Sequence, residues 1–150
     1  MVRLYVDGFI NRRNFAIVET ILTDDFQYHG PNSPARAGRE PHVRGSAAFL
    51  VAFPDWRAEV RTVISDGDML SDRVHISATH TASINNVAPT GETIDDDCVH
   101  LWRLEDGRFA EGWLFCNANM LRGRPSAAHA AGVFRRLREP APPPKPQGRA

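Results

Sequence analysis

The chain has 150 residues, enough for one domain with a sizeable core. Its 18 basic residues balance 18 acidic ones, which removes any global electrostatic case for a nucleic-acid or membrane partner. The charge is unevenly spread: residues 122–150 hold seven Lys or Arg against one Glu, so residues 1–121 are net acidic. Two cysteines without a secretory or membrane-spanning stretch read as a cytoplasmic protein with reduced thiols. Zinc-type Cys/His spacings, a GxGxxG loop and a P-loop are absent, so no metal and no cofactor are expected.

In chain order, Val2 to Asn11 carries Leu4, Val6, Phe9 and Ile10 and reads as a first helix. After the polar break 11–14, Asn14 caps an expected second helix that buries Phe15, Ile17, Val18, Ile21 and Leu22 and ends at Thr23-Asp24-Asp25. Phe26 to His29 is a short strand. The Gly-, Pro- and Arg-rich dozen residues after Gly30-Pro31 read as a loop beside a pocket. Ser46 is expected to cap a helix from Ala47 to Phe53, stopped by Pro54. Alternation over Trp56 to Ile64 and over Arg73 to Ser83 predicts two strands, joined through the turn Asp66-Gly67-Asp68. The second strand carries Val74, Ile76, Ala78 and His80 on one face.

The stretch Glu92 to Leu121 reads as two long strands around a turn at Glu105-Asp106-Gly107. A three-residue loop flanked by Leu104 and Arg108 sets His100 opposite Gly112, Cys98 opposite Leu114 and Asp96 opposite Cys116. Even-numbered residues then share a pocket-like face with Asp96, Cys98, His100, Trp102 and Leu114. Val99, Leu101, Phe109, Glu111, Trp113 and Phe115 share the other. Beyond Leu121 a short basic helix over 126–138 gives way to a Pro-rich end. This order of elements predicts an α+β domain, a strongly curved, mainly antiparallel sheet wrapped around helices.

AFPDW (52–56), DGD (66–68), ATHT (78–81), APTGE (88–92), WRLEDGRFAEGW (102–113) and MLRG (120–123) together resemble the SnoaL-like polyketide cyclases, of the nuclear-transport-factor-two-like (NTF2-like) superfamily. The resemblance covers residues 1–123 and leaves 124–150 as a basic, Pro-rich, partly disordered tail. It implies a cone-shaped α+β barrel with a deep pocket, and a homodimer or homotetramer packed through the sheet. It also implies a hydrophobic, polyketide-like substrate. In that family a pocket histidine and an aspartate fourteen residues later perform acid/base chemistry in an intramolecular aldol closure. His100 matches the histidine, but the later position is Leu114. Relatives include hydroxylases, epoxide-opening enzymes, isomerases and plain binding proteins.

The expected function is therefore cofactor-independent, acid/base-catalysed cyclisation or rearrangement of a polycyclic ketone. A SnoaL-like hydroxylase or epoxide-opening enzyme, or a non-catalytic binding protein, stands as the alternative. His100 is the expected acid/base because imidazole exchanges protons near neutrality. Asp96, on the same strand face, is the expected second catalytic group. Tyr28, His29, Trp56, His80, Cys98, Trp102 and Leu114 are expected to bind substrate. The two cysteines are expected to be free thiols, and Glu111, on the opposite face, to make a salt bridge or subunit contact.

Overall fold

The structure, a computed structural model, describes residues 1–30, 35–84 and 86–116. The expected basic helix and the tail at 124–150 lie outside the described residues, as do the first residues of the expected loop after Gly30. The ordered elements are helix α1 (Leu4–Asn11), a 3₁₀ turn (Phe15–Ile17), helix α2 (Val18–Ile21), strands β1 (Leu22–His29) and β2 (Arg36–Ala37), and helix α3 (Arg39–Ala52). Strands β3 (Arg57–Asp66), β4 (Met69–Thr79), β5 (Thr93–Glu105) and β6 (Arg108–Cys116) follow.

The strands form one six-stranded sheet in the order β2-β1-β6-β5-β4-β3. All neighbours are antiparallel except β1 and β6, which run parallel. The α+β class is as expected. The sheet is curved but its outer strands, β2 and β3, do not pair with each other, so the cone is open rather than a closed barrel. Even-numbered residues of β4 and β5 face the helices: Asp72, Val74, Ile76, Ala78, Cys98, His100 and Trp102 are all buried. The opposite face is partly open, with Val99 and Phe115, partners in the β5–β6 ladder, 40% and 36% exposed.

α1 winds with π spacing, Arg12 N–H donating to the Asp7 carbonyl five residues back. It buries Tyr5, Val6 and Phe9. Asn11 fastens its end to the sheet: the side-chain amide donates to Ala58 O (2.7 Å) and accepts from Ala58 N (2.9 Å). The expected second helix shrinks to a 3₁₀ turn and a single α turn, and β1 begins at Leu22 rather than Phe26. Ile17, Val18, Thr20, Ile21 and Thr23 are β-branched, and such side chains favour extended backbone.

The expected loop before Ala47 is mostly helix. α3 begins at Arg39, eight residues ahead of the expected start, and Ser46 is mid-helix rather than a cap. Pro41 lies in the first turn, where no intrahelical partner is needed for an N–H. His42, Ser46 and Leu50 recur every fourth residue and form the helix's buried stripe.

The β5–β6 turn also differs. Glu105 pairs with Arg108, leaving a two-residue loop, Asp106 (φ 50°) and Gly107 (φ 73°). Positive φ at both positions is the type I′ geometry that suits the twist of a hairpin. A bulge between Arg103 and Leu104 then shifts the register, so that His100 faces Leu114, Trp102 faces Gly112 and Cys98 faces Cys116. Asp96 pairs with Ile76 of β4 instead of reaching Cys116. The bulge also turns Phe109 inward, where it is fully buried against Trp102 at 4.4 Å between ring centroids.

Candidate active site

A cavity of about 250 Å³ lies between α1, α3 and the concave side of the sheet. This is near the lower end of small-molecule sites, roughly 300–1,000 Å³. Its walls are mainly apolar, with Val6, Phe49, Trp56, Val74, Ile76 and Leu114 among them. Its polar groups are few: the phenols of Tyr5 and Tyr28, the guanidinium of Arg36, the Ser46 hydroxyl and the imidazole of His100.

His100 Nδ1 lies 2.8 Å from Asp72 Oδ1, the residue directly across on β4. Asp72 is buried, and its other oxygen accepts a 2.5 Å hydrogen bond from the Trp102 indole N–H. An indole nitrogen only donates, so that carboxylate oxygen is an acceptor. With the carboxylate ionised, His100 Nδ1–H donates to the first oxygen and Nε2 is left with its lone pair. Nε2 has no hydrogen-bond partner among the described residues, and the ring lines the cavity. Trp102 stacks beneath His100 at 4.8 Å. It fits there because Gly112 opposite has no side chain; any Cβ would run into the indole.

Tyr5 Oη is 3.0 Å from His42 Nε2 and stands beside the Tyr28 phenol. Burial, then Tyr28 and Asp72, push the Tyr5 hydroxyl well above the usual phenol range. Tyr28 is likewise raised, mainly by burial. Both therefore stay protonated and can donate hydrogen bonds. His42 is pushed down to about 3 by burial, then by Arg36 and His100, so it stays neutral.

Of the expected substrate-binding residues, Tyr28, Trp56, Cys98 and Leu114 line this cavity together with His100. Trp102 lies under His100 instead of on the cavity surface. Asp96 is not part of the lining either; its Oδ1 accepts from the Asp97 backbone N–H. His80 packs on Phe53 at 5.1 Å, and its Nδ1 accepts from the Thr90 N–H, holding the 80–92 connection to the end of the sheet. His29 turns to the opposite face: its Nε2 is 2.8 Å from Glu111 Oε1 and its ring stacks on Trp113. Glu111 makes that contact and a second to Arg103, as the salt-bridge expectation held.

The two cysteines are not free thiols. Cys98 and Cys116 form a disulfide between directly opposed residues of β5 and β6, with Cα atoms 4.4 Å apart. The corrected register explains the bond: the two-residue loop and the bulge bring together positions that a three-residue loop would have offset. Cys98 and Cys116 still line the cavity, as one disulfide.

Sequence reasoning passed over Asp72, Tyr5, Arg36 and His42. Asp72 stands two residues before Val74 on the alternating inward face, so extending that strand by one residue would have found it. Arg36 and His42 were hidden in the stretch read as loop.

Among the described residues, no three or more His, Cys, Asp or Glu side chains form a group that could hold a metal. None of the described helices is long and apolar enough to cross a membrane.

A family model for the SnoaL-like polyketide cyclases matches residues 1–122. Among curated proteins no sequence match is found. Solved structures share the fold. A candidate SnoaL-like polyketide cyclase from Jannaschia sp. CCS1 superposes with a TM-score of 0.73 at 22% identity, covering 84% of this chain and 88% of that one. IdmH, a candidate polyketide cyclase from Streptomyces antibioticus, gives 0.66 at 20% identity, covering 87% and 95%. AclR, a candidate hydroxylase from Streptomyces galilaeus, gives 0.60 at 23% identity, covering 85% and 90%. The family match spans every described element of the sheet and its helices, and on that ground the chain belongs to the SnoaL-like polyketide cyclase family.

Proposed function

We propose that the cavity holds a polyketide-like ketone and that His100 catalyses its ring closure by proton transfer. The observation that carries this reading is the buried Asp72–His100 pair on the cavity wall. Asp72 fixes the tautomer and the ring orientation, leaving Nε2 as a base. His100 Nε2 removes a proton from a carbon between two carbonyl groups. The enolate carbon attacks a second carbonyl carbon within the same molecule, forming the ring C–C bond. The resulting alkoxide takes the proton back from the imidazolium, so His100 ends as it began. Tyr28, held protonated by burial and with the Tyr5 phenol beside it, donates a hydrogen bond to the oxygen on which negative charge builds up. The apolar walls hold the chain folded so that the reacting carbons meet, a contribution of orientation.

Asp72 thus takes, from the neighbouring strand, the role of the carboxylate that is absent at Leu114. Asp72→Asn keeps the shape and removes the charge. It is expected to lower turnover of a polyketide substrate by roughly 10²–10⁴-fold, and His100→Ala by at least as much. Retention of full turnover by either variant, assayed by product formation on a folded protein, would remove the pair from the mechanism.

A second reading is opening of an epoxide, motivated by the fact that no carboxylate lines the cavity among the described residues. The same His–Asp pair would then deprotonate water, whose oxygen attacks an epoxide carbon as the ring C–O bond breaks, and the resulting alkoxide takes the proton back from His100. Turnover in ¹⁸O-labelled water separates the two: label in a new hydroxyl supports opening, and an unlabelled ring-closed product supports cyclisation.

A further inference from the structure

We propose that the substrate of this cavity carries a free carboxylate, and that Arg36 is the residue that binds it. The inference rests on the cavity being the substrate site, as proposed above, and adds the chemical class of what enters. Arg36 belongs to the short edge strand β2, and its side chain leaves the sheet edge to line the cavity. It does so across α3 at Gly45, where any Cβ would collide with the guanidinium. A glycine in the middle of a helix is disfavoured against alanine. Here that glycine is what lets the arginine through.

Once inside, the guanidinium has no opposite charge beside it among the described residues. Arg39, Arg44, Arg61, Arg73 and Arg103 each lie within 4 Å of an Asp or Glu oxygen. Arg36 has neither an ion pair nor a hydrogen bond among the described residues. None of the described residues lining the cavity is acidic, and Asp72 behind the wall is already engaged by His100 and Trp102. The positive charge is felt at Tyr5, Tyr28 and His42, which places it at the polar end of the cavity. A cation partly withdrawn from water without a partner is costly, and an entering anion relieves that cost.

The planar guanidinium matches a carboxylate through two parallel hydrogen bonds. A single cation with a neighbouring phenol donor suits a monoanion better than a phosphate dianion. A neutral ester would leave the charge unmatched. The acid would thus dock at Arg36 and present its ketone portion to His100.

The test uses the full chain and a matched pair of flat aromatic probes, 2-naphthoate and methyl 2-naphthoate, with affinities from titration calorimetry at neutral pH. The acid is expected to bind roughly 10–100-fold tighter than the ester. Arg36→Gln is expected to abolish that preference while leaving ester affinity unchanged, and Arg36→Lys to restore part of it. Equal affinities in the unmodified chain, persistence of the preference in Arg36→Gln, or no binding of the acid at about 5 mM would each overturn the proposal. Assaying ring closure by the unmodified chain alongside the titration separates it from the cyclase reading. Acid preference in an unmodified chain that performs no ring closure keeps this inference and sinks that one. Ring closure with indifference to acid or ester does the reverse.

Discussion

Asp72 is the residue on which the interior depends, and its environment is unusually complete for a buried carboxylate. One oxygen faces His100 and the other accepts from Trp102, both from β5. A buried carboxylate left unpaired is expensive, so each of these bonds matters for stability as well as for orientation. Trp102→Phe preserves most of the ring that stacks between His100 and Phe109 but deletes the indole donor. It is expected to cost about 1–3 kcal/mol in urea unfolding at pH 7. A change near zero would mean that the Trp102 bond contributes nothing. This arrangement was half legible in the sequence. His100, Trp102 and Gly112 were assigned to one strand face by alternation alone, and that face is the buried one. That Gly112 exists to receive Trp102 depended on a register the sequence did not disclose, because one turn residue more or fewer changes every opposing pair.

Elements were legible where side-chain periodicity was strong and hidden where punctuation residues misled. β4 and β5 follow the alternation of their apolar residues, and β3 does so as far as Val60, beyond which a bulge leads to exposed Val63 and Ile64. α3 was read as loop over most of its first two turns because Gly38, Pro41 and Gly45 look like breakers. In the structure Gly38 precedes the helix, Pro41 falls in its first turn, and Gly45 makes way for Arg36. The β5–β6 hairpin misled in a different manner: both a three-residue and a two-residue loop fit Glu105-Asp106-Gly107, and the second, together with the bulge that follows it, lets Cys98 meet Cys116. The disulfide closes a loop with a sequence separation of 18. Chain-entropy arguments give such a cross-link about 2–4 kcal/mol. The double variant Cys98→Ala/Cys116→Ala should therefore unfold at lower urea concentration than the oxidised chain. Thiol titration of the denatured, unreduced protein should find no free cysteine; two reactive thiols would refute the cross-link.

At the scale of the molecule, the α+β plan and its curved sheet followed from the order of helices and strands, whereas the way the helices close over the sheet did not. That closure centres on His42. From α3 it meets Tyr5 of α1 at 3.0 Å, stacks on Phe9 at 5.5 Å between ring centroids, and packs against Phe26 and Tyr28 of β1. Its neighbours are aromatic, and the nearby cation Arg36 opposes a second positive charge. In the unfolded chain the imidazole titrates near 6.5, whereas in the fold it is pushed down to about 3. Between these values the unfolded state binds a proton that the folded state refuses, so stability rises with pH across that window. Above about pH 6.5 both states are neutral and this contribution to the slope vanishes. Below it, each pH unit costs about 1.4 kcal/mol until the folded histidine itself protonates. His42→Gln retains a hydrogen-bonding side chain toward Tyr5 and removes the titration. Urea unfolding of both proteins from pH 7 to pH 4.5 isolates the effect, because the carboxylates common to both cancel in the difference. The unmodified chain should lose about 2–3 kcal/mol more than the variant over that interval. Parallel pH profiles would mean that water reaches His42 and that the helices do not seal the cone at this point.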